Sequence, residues 1–551
     1  MGCENALNQA PHTGGAHVTA STQPAAQLPE CAGGTSQAAR QPGRRRAWPA
    51  WMPLLPALVT LVVTLWRIGT PSFWRDEAAT LTATRRSLPE MIRMLAHVDA
   101  VHGAYYLVLW PLAHVFGTSE LVMRLPSAVA MAGAAFATAV IGRRLASAQT
   151  GLLAGLVFAV VPMTSRFGQE ARSYAMVTAA AAAASYLLLR AIGEPGRRWA
   201  VGYGLSLVAL GLLNMFGLLI IGAHAVTLAL ARRRGLRRGL RRGLRRAGGE
   251  PRAGQQADAA GAPASGGAPG WAGGSARGWV IAAAAALAAI MPIAALAWHE
   301  RYQLAWLKRP GVGDVWALAT SLTGSAVLFA AITALGAAGA VSQRMGGRGS
   351  PRPAGQPLFW LSVPWLFLPP AVLIFGSEIK PVYVYRYAVF CLPALALLAG
   401  AGLAALGRYW RIAAVAVLAV LTLPPQQAIR RPAGHGDNIR AAALVLRQQA
   451  RPGDAVVWFK PGFRDLGAVY PDGFSRLRDI GLKDSATAAG NLSGTEVALP
   501  VLEGRLRGEA RVWLVEVDRN QPDPAVIGSQ FRLIRVWRVH DFALRLYGRG
   551  G

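Results

Sequence analysis

A chain of 551 residues that is 53% hydrophobic and only 15% charged, with several apolar runs near the ~20 residues that cross a bilayer, excludes a water-soluble globular protein. The net charge of +30 comes almost entirely from Arg, and in a polytopic membrane protein it marks loops held on the cytoplasmic side, which leaves no call for a nucleic-acid partner. Three cysteines, Cys3, Cys31 and Cys391, have no paired spacing, so neither a disulfide framework nor a metal cluster is indicated.

Residues 1–46 are rich in Ala, Gly, Gln, Ser, Thr and Pro without periodicity and read as a disordered cytoplasmic tail. Arg44 to Arg46 then hold the start of the apolar run Trp51 to Ile68 inside, so the charged tetrapeptide Trp74-Arg75-Asp76-Glu77 that follows faces outward. Ser87 to Glu90 starts a short helix whose stripe of Met91, Ile92, Met94 and Leu95 lies on the outer surface. Tyr105 to Phe116 is about a dozen residues and too short to span. Positive-inside bookkeeping over the remaining apolar runs, with Trp199 to Ala231 counted as two passes broken near Asn214, gives about 11 spans within a membrane domain of residues 47–430.

Inside that domain, residues 232–277 read as a basic, disordered cytoplasmic loop, in which Gly-Leu-Arg-Arg occurs three times between Gly235 and Arg246. Anionic lipid headgroups are the partner that suits the stretch Arg232 to Arg246. Residues 431–551 change character: Asn438 to Arg451 is helical in pattern, Ala455 to Phe459 and Val512 to Val515 are strand runs, and Phe531 to Tyr547 suggests a closing hairpin. The fold class expected is an α-helical polytopic bundle with a small C-terminal α/β domain outside the cytoplasm, in the cell membrane.

Four polar clusters fall at span ends on the outer face: Trp74 to Glu77, Arg166 to Tyr174, His299 to Tyr302, and Glu378 to Tyr387. They suit transfer of a sugar from a lipid-linked phosphosugar donor to an acceptor hydroxyl, where the leaving phosphate needs no general acid. Asp76 or Glu77 is the candidate base, and Arg172, Lys380 and Arg386 are candidates for binding the donor phosphate. Bland alternatives exist: Arg124 as a snorkelling helix-end charge, Arg172 likewise, His299 as an interfacial histidine, and the Tyr residues around Arg386 as an aromatic belt. A transporter or flippase fits the composition equally, but the spans are nearly free of charge and no half repeats the other.

The stretches Phe73 to Glu77, His102-Gly103-Ala104-Tyr105-Tyr106, Phe116 to Glu120, Arg124-Leu125-Pro126-Ser127, Gly168 to Tyr174 and Tyr385-Arg386-Tyr387 together resemble the GT-C superfamily of polytopic glycosyltransferases, in its family 39-like group of protein O-mannosyltransferases and aminoarabinose transferases. The resemblance implies a polyprenyl-phosphate donor carrying a mannose-like hexose or related sugar, Asp76 as catalytic base and an outward-facing site. Arg75, His102, Tyr105, Arg124, Glu170, Tyr174, His299 and Tyr385 would then line the acceptor and donor pocket. The acceptor is an unspecified protein, glycan or lipid. Many relatives carry His-Pro-Pro where this chain has His102-Gly103-Ala104. With no Asp-x-Asp signature, no metal is expected to be obligatory, although the family allows a divalent ion.

Overall fold

The computed structural model describes residues 49–194, 197–247, 274–345, 356–517 and 525–550. The tail expected over 1–46 and residues 248–273 of the expected basic loop lie outside them. The remainder of that loop is helical in backbone: Ile220–Ala247 carries the three Arg repeats as a continuation of an apolar helix, and Gly274–His299 starts before the loop was expected to end.

Among the described residues, seven helices are long and apolar enough to cross a membrane, and two helix pairs, Ala148–Val160 with Pro162–Gly168 and Val312–Thr323 with Ala326–Val341, qualify together but bend by 62° and 78° at their breaks. Nine spans result if each pair counts once, against the eleven expected. The two shortfalls have a common cause in helix length. Leu54–Leu65 has 12 helical residues, about 18 Å of rise against a hydrocarbon core of about 30 Å. Arg197–Leu213 has 17 and stops at Asn214, whose side-chain oxygen accepts the Phe216 N–H at 2.9 Å.

At the bundle centre runs Tyr385–Ala405, 89% buried over its apolar window, whereas Arg277–His299 and Arg408–Ile429 are 22% buried and present most of their surface outward. Small residues let its neighbours approach backbone to backbone. A Cβ on Gly402 would stand 1.8 Å from the Leu335 carbonyl oxygen, and one on Gly400 would stand 2.5 Å from the Ala154 nitrogen. The two bent pairs meet at their breaks, where Gly324, at φ +90°, lies against Pro162.

The C-terminal region forms one mixed sheet from β1 (Ala455–Trp458), β2 (Arg478–Asp479), β3 (Arg511–Val517), β4 (Phe531–Val539) and β5 (Phe542–Arg549), in the order β2-β1-β3-β5-β4. β1 is parallel to both β2 and β3, β5 returns antiparallel to β3, and β4 and β5 make the expected hairpin. Helix Ile439–Gln449 packs against this sheet through Ile439, Ala442 and Leu446.

One apolar core unites this region with the first external loop: Phe73, Leu81, Met91, Met94, Tyr105 and Tyr106 share it with Ile439, Trp458, Trp513 and Phe542. This corrects the reading of the Leu88–Leu95 stripe. Met91 and Met94 face protein and are fully buried, whereas Ile92 is 57% exposed.

Gly402→Ala is expected to cost about 1–3 kcal/mol, the usual range for overpacking a well-packed contact. Thermal unfolding of the detergent-solubilised protein checks this, and an unchanged midpoint would show that the two helices can separate there.

Candidate active site

The adjacent carboxylates Asp76 and Glu77 open helix Arg75–Thr84 and point to different environments. Glu77 is fully buried. Its Oε1 accepts from Arg124 Nε (2.8 Å) and the Ala171 N–H (2.7 Å), and its Oε2 from Arg124 Nη2 (2.7 Å) and the Trp74 N–H (3.4 Å). Arg124 spends its remaining donors on the carbonyls of Ile68, Pro71 and Ser72 at 2.8, 2.9 and 3.1 Å. Every strong acceptor position of the carboxylate is therefore committed, in a bidentate pair shielded from solvent. Arg124 does not snorkel; it lies wholly inside.

Asp76 is different. Its side chain is 19% exposed, and Oδ2 lies 3.3 Å from Arg386 Nη2 without making a directed hydrogen bond to any described residue. The backbone carbonyl of Asp76 accepts from Arg172 Nη1 at 3.3 Å. The carboxylate is thus charge-compensated while keeping lone pairs uncommitted.

Arg172 is the hub of the surrounding polar chain. It donates through Nη2 to His102 Nε2 (2.7 Å) and through Nη1 to the Tyr106 hydroxyl (3.3 Å), which donates to Asp99 Oδ2 (2.8 Å). Burial holds the His102 ring well below its ordinary range, and the Arg172 guanidinium pushes the same way, so the ring is neutral and accepts at Nε2.

Trp74 stands between two guanidiniums, Arg166 at 5.3 Å and Arg386 at 5.8 Å from its ring centre. Arg166 donates to Glu170 Oε2 (2.6 Å) and to the His435 carbonyl (3.2 Å). Burial pushes the Glu170 carboxyl up from 4.5 to about 7 despite Arg166 beside it. Tyr174 packs edge-on to Phe167 and lies 6.4 Å from Tyr387, while the ring centre of Tyr385 is 6.5 Å from that of Phe167. Tyr105 is fully buried in the core beneath.

Next to this cluster lies a cavity of about 250 Å³, lined among others by His102, Asn214, Glu300, Trp298, Lys380 and Tyr387. A shallower one of about 640 Å³, which includes His299, adjoins it through Arg301, Leu304 and Lys380. Lys380 Nζ sits 4.5 Å from the Trp298 ring centre and Arg301 5.1 Å from the same ring. The three cations expected to act together are therefore divided. Arg172 and Arg386 flank Asp76, and Lys380 lines the cavity with Arg301. Arg75 goes elsewhere, donating through Nε and Nη2 to the two oxygens of Asp437 at 3.0 and 2.9 Å. Among the described residues, no group of three or more His, Cys, Asp or Glu is arranged to hold a metal ion.

Several residues escaped the sequence reading. Asp437 also accepts the Arg75 N–H; Arg440 donates to Glu120 and to the carbonyls of Gly69 and Thr70; the Tyr470 hydroxyl donates to Glu120 (2.7 Å) and accepts the Phe73 N–H (3.0 Å). Arg430 holds the Trp66 carbonyl at 2.9 Å. The available signal was the run Arg430, Arg431 and Arg440 just beyond the last apolar helix.

Glu77→Gln removes one half of a buried pair and is expected to cost about 3–5 kcal/mol of stability, whereas Asp76→Asn leaves the unfolding midpoint in place; thermal unfolding of both variants separates the two roles. Glu170 gives a pH dependence. Its folded-state carboxyl is raised, so the stability it contributes is complete below about pH 4.5 and is lost as the pH rises through about 7. Unfolding midpoints across that window should fall in the native chain and fall less in Glu170→Gln.

Residues 103–242 match the family described as dolichyl-phosphate-mannose-protein mannosyltransferase. No curated protein matches the chain by sequence. Among solved structures, ArnT from Cupriavidus metallidurans bound to undecaprenyl phosphate is similar at 15% identity and a TM-score of 0.56, over 90% of this chain and 97% of that one. Its apo state gives 15% identity and 0.55 over the same shares. By fold the chain is a polytopic helical protein similar to ArnT, and its 103–242 segment carries the match to the mannosyltransferase family.

Proposed function

We propose that this protein transfers a sugar from a polyprenyl-phosphate donor to an acceptor hydroxyl in a single displacement, with Asp76 as the base. The observation that carries the reading is the contrast between the neighbouring carboxylates. Glu77 is locked by four donors, and Asp76 is left with free lone pairs beside two arginines and next to a cavity that has two cations at its exposed rim. That ArnT of the same fold has been crystallised with undecaprenyl phosphate supports the choice of a lipid phosphate as the carrier.

The donor phosphate meets Lys380 and Arg301 at the rim, and the sugar enters the cavity toward His102, Asn214 and Tyr387. The acceptor oxygen attacks the anomeric carbon, its proton passes to an Asp76 carboxylate oxygen, and the bond from that carbon to the phosphate oxygen breaks with its electron pair leaving on phosphate. A phosphate leaving group is weakly basic, with a second pKa of about 6, and needs no proton from the protein. Lys380 and Arg301 offset the charge that gathers on the phosphate as the bond breaks, and Arg386 and Arg172 hold the Asp76 side chain and backbone. Glu77 acts as a positioning residue that fixes the helix start on which Asp76 stands, and neutral His102 holds Arg172. The single displacement inverts the anomeric configuration.

The test is incubation of membranes with radiolabelled polyprenyl-phosphate sugars. Asp76→Asn should lower transfer by about 10²–10⁴, the range for loss of a general base. Arg386→Lys keeps charge but loses the planar fork and should lower it measurably. Transfer by Asp76→Asn at the native rate would remove Asp76 from the role.

A further inference from the structure

We propose that Glu300 is a specificity-determining residue that accepts a hydrogen bond from a hydroxyl of the donor sugar. The inference rests on the reading of the cavity as the donor site and names a group that reads the sugar within it.

Glu300 follows helix Gly274–His299 and opens the short turn Arg301–Leu304. It is 5% exposed and lines the cavity of about 250 Å³. Its two oxygens have different fates. Oε2 accepts the Ala100 N–H at 3.1 Å and Gln303 Nε2 at 3.3 Å, while Oε1 is buried without a hydrogen-bond partner among the described residues. A buried carboxylate oxygen left unpaired costs about 1–3 kcal/mol or more, and a site that holds one rejects ligands that leave it so. Other polar lining residues, His102, Asn214, Gln303 and Tyr387, together with the aromatic residues Trp298 and Phe216, suit a polyhydroxylated ring. Arg301 and Lys380 at the rim provide for the phosphate, which leaves Oε1 for a neutral donor such as a sugar hydroxyl.

The same residue reaches the reacting centre. Ala100, held by Oε2, begins the turn Ala100–His102; His102 accepts from Arg172, and Arg172 holds the Asp76 carbonyl. A sugar hydroxyl on Oε1 would therefore bear on the element that aligns Asp76.

Glu300→Gln tests this sharply. The amide oxygen must stay on the Ala100 N–H, so the NH₂ takes the place of Oε1 and an acceptor becomes a donor. The full-length chain in nanodiscs would be titrated with undecaprenyl phosphate, with a panel of undecaprenyl-phosphate hexoses and pentoses, and with monodeoxy forms of whichever donor binds most tightly. The native protein should bind that donor more tightly than the bare lipid phosphate and lose about 10-fold or more for one monodeoxy form, as for a hydrogen bond to a charged group. Glu300→Gln should bind undecaprenyl phosphate as the native protein does, bind the intact donor about 10-fold more weakly, and lose the distinction between the intact and that monodeoxy donor. Equal weakening toward every ligand, or none toward any, would reduce Glu300 to a cap on the Ala100 turn and overturn the inference while the donor reading stands. Failure of the native protein to bind undecaprenyl phosphate or any of its sugars would overturn the donor reading and this inference with it.

Discussion

The arrangement depends on the buried pair of Arg124 and Glu77. A chain leaving an apolar helix and turning back into a charged one exposes a row of backbone carbonyls where little water is available, and each needs a donor. Arg124 supplies donors to three of them while gripping Glu77 through two parallel bonds. Gln169 takes the carbonyls of Thr64 and Trp66, Arg430 shares Trp66, and Arg440 takes Gly69 and Thr70. The segment from Thr64 to Ser72 is thereby fixed by side chains from three distant parts of the sequence, and the start of helix Arg75–Thr84 with it. Two buried charges are costly unless fully satisfied, and here both are.

With its neighbour immobilised in this way, Asp76 can remain uncommitted. A carboxylate that serves as a base needs a fixed position and free lone pairs, requirements that conflict when one residue must meet both. In the proposed reading the chain divides them between consecutive residues, with Glu77 supplying the rigidity and Asp76 the reactivity. Arg386 and Arg172 then compensate the charge of Asp76 from the side chain and the backbone respectively. Because Arg386 begins the most deeply enclosed helix of the bundle, the site is anchored to the part of the membrane domain least able to move.

The C-terminal sheet belongs to the same device. Its core is continuous with that of the first external loop, and Asp437, Arg440 and Tyr470 hold that loop by hydrogen bonds. Truncation near residue 430 would therefore remove donors and acceptors from the segment carrying Asp76 as well as an external module.

Hydrophobic run length determined the class of protein, and strand-type runs with a closing hairpin determined that a sheet follows the membrane domain, because both signals are local. The tetrapeptide Trp74 to Glu77 was legible as a site because paired acids beside a membrane are expensive. What local pattern could not decide was which acid stays free. Asp76 and Glu77 are chemically alike, and only the approach of Arg124 and Ala171 from elsewhere in the chain distinguishes them. Run length also counted more spans, since an apolar stretch does not reveal that only Leu54–Leu65 of the first run is helical or that Arg197–Leu213 stops at 17 residues. The amphipathic stripe at Met91 and Met94 was read as lying on the outer surface when it packs into the core shared with the C-terminal region, because periodicity gives the existence of a buried face and tertiary contact alone gives what buries it. Glu300 was legible only as one member of the polar cluster His299 to Tyr302: a single acid after an apolar helix becomes informative only when one of its oxygens is seen paired to Ala100 and the other buried without a hydrogen-bond partner among the described residues, in a residue that lines a cavity.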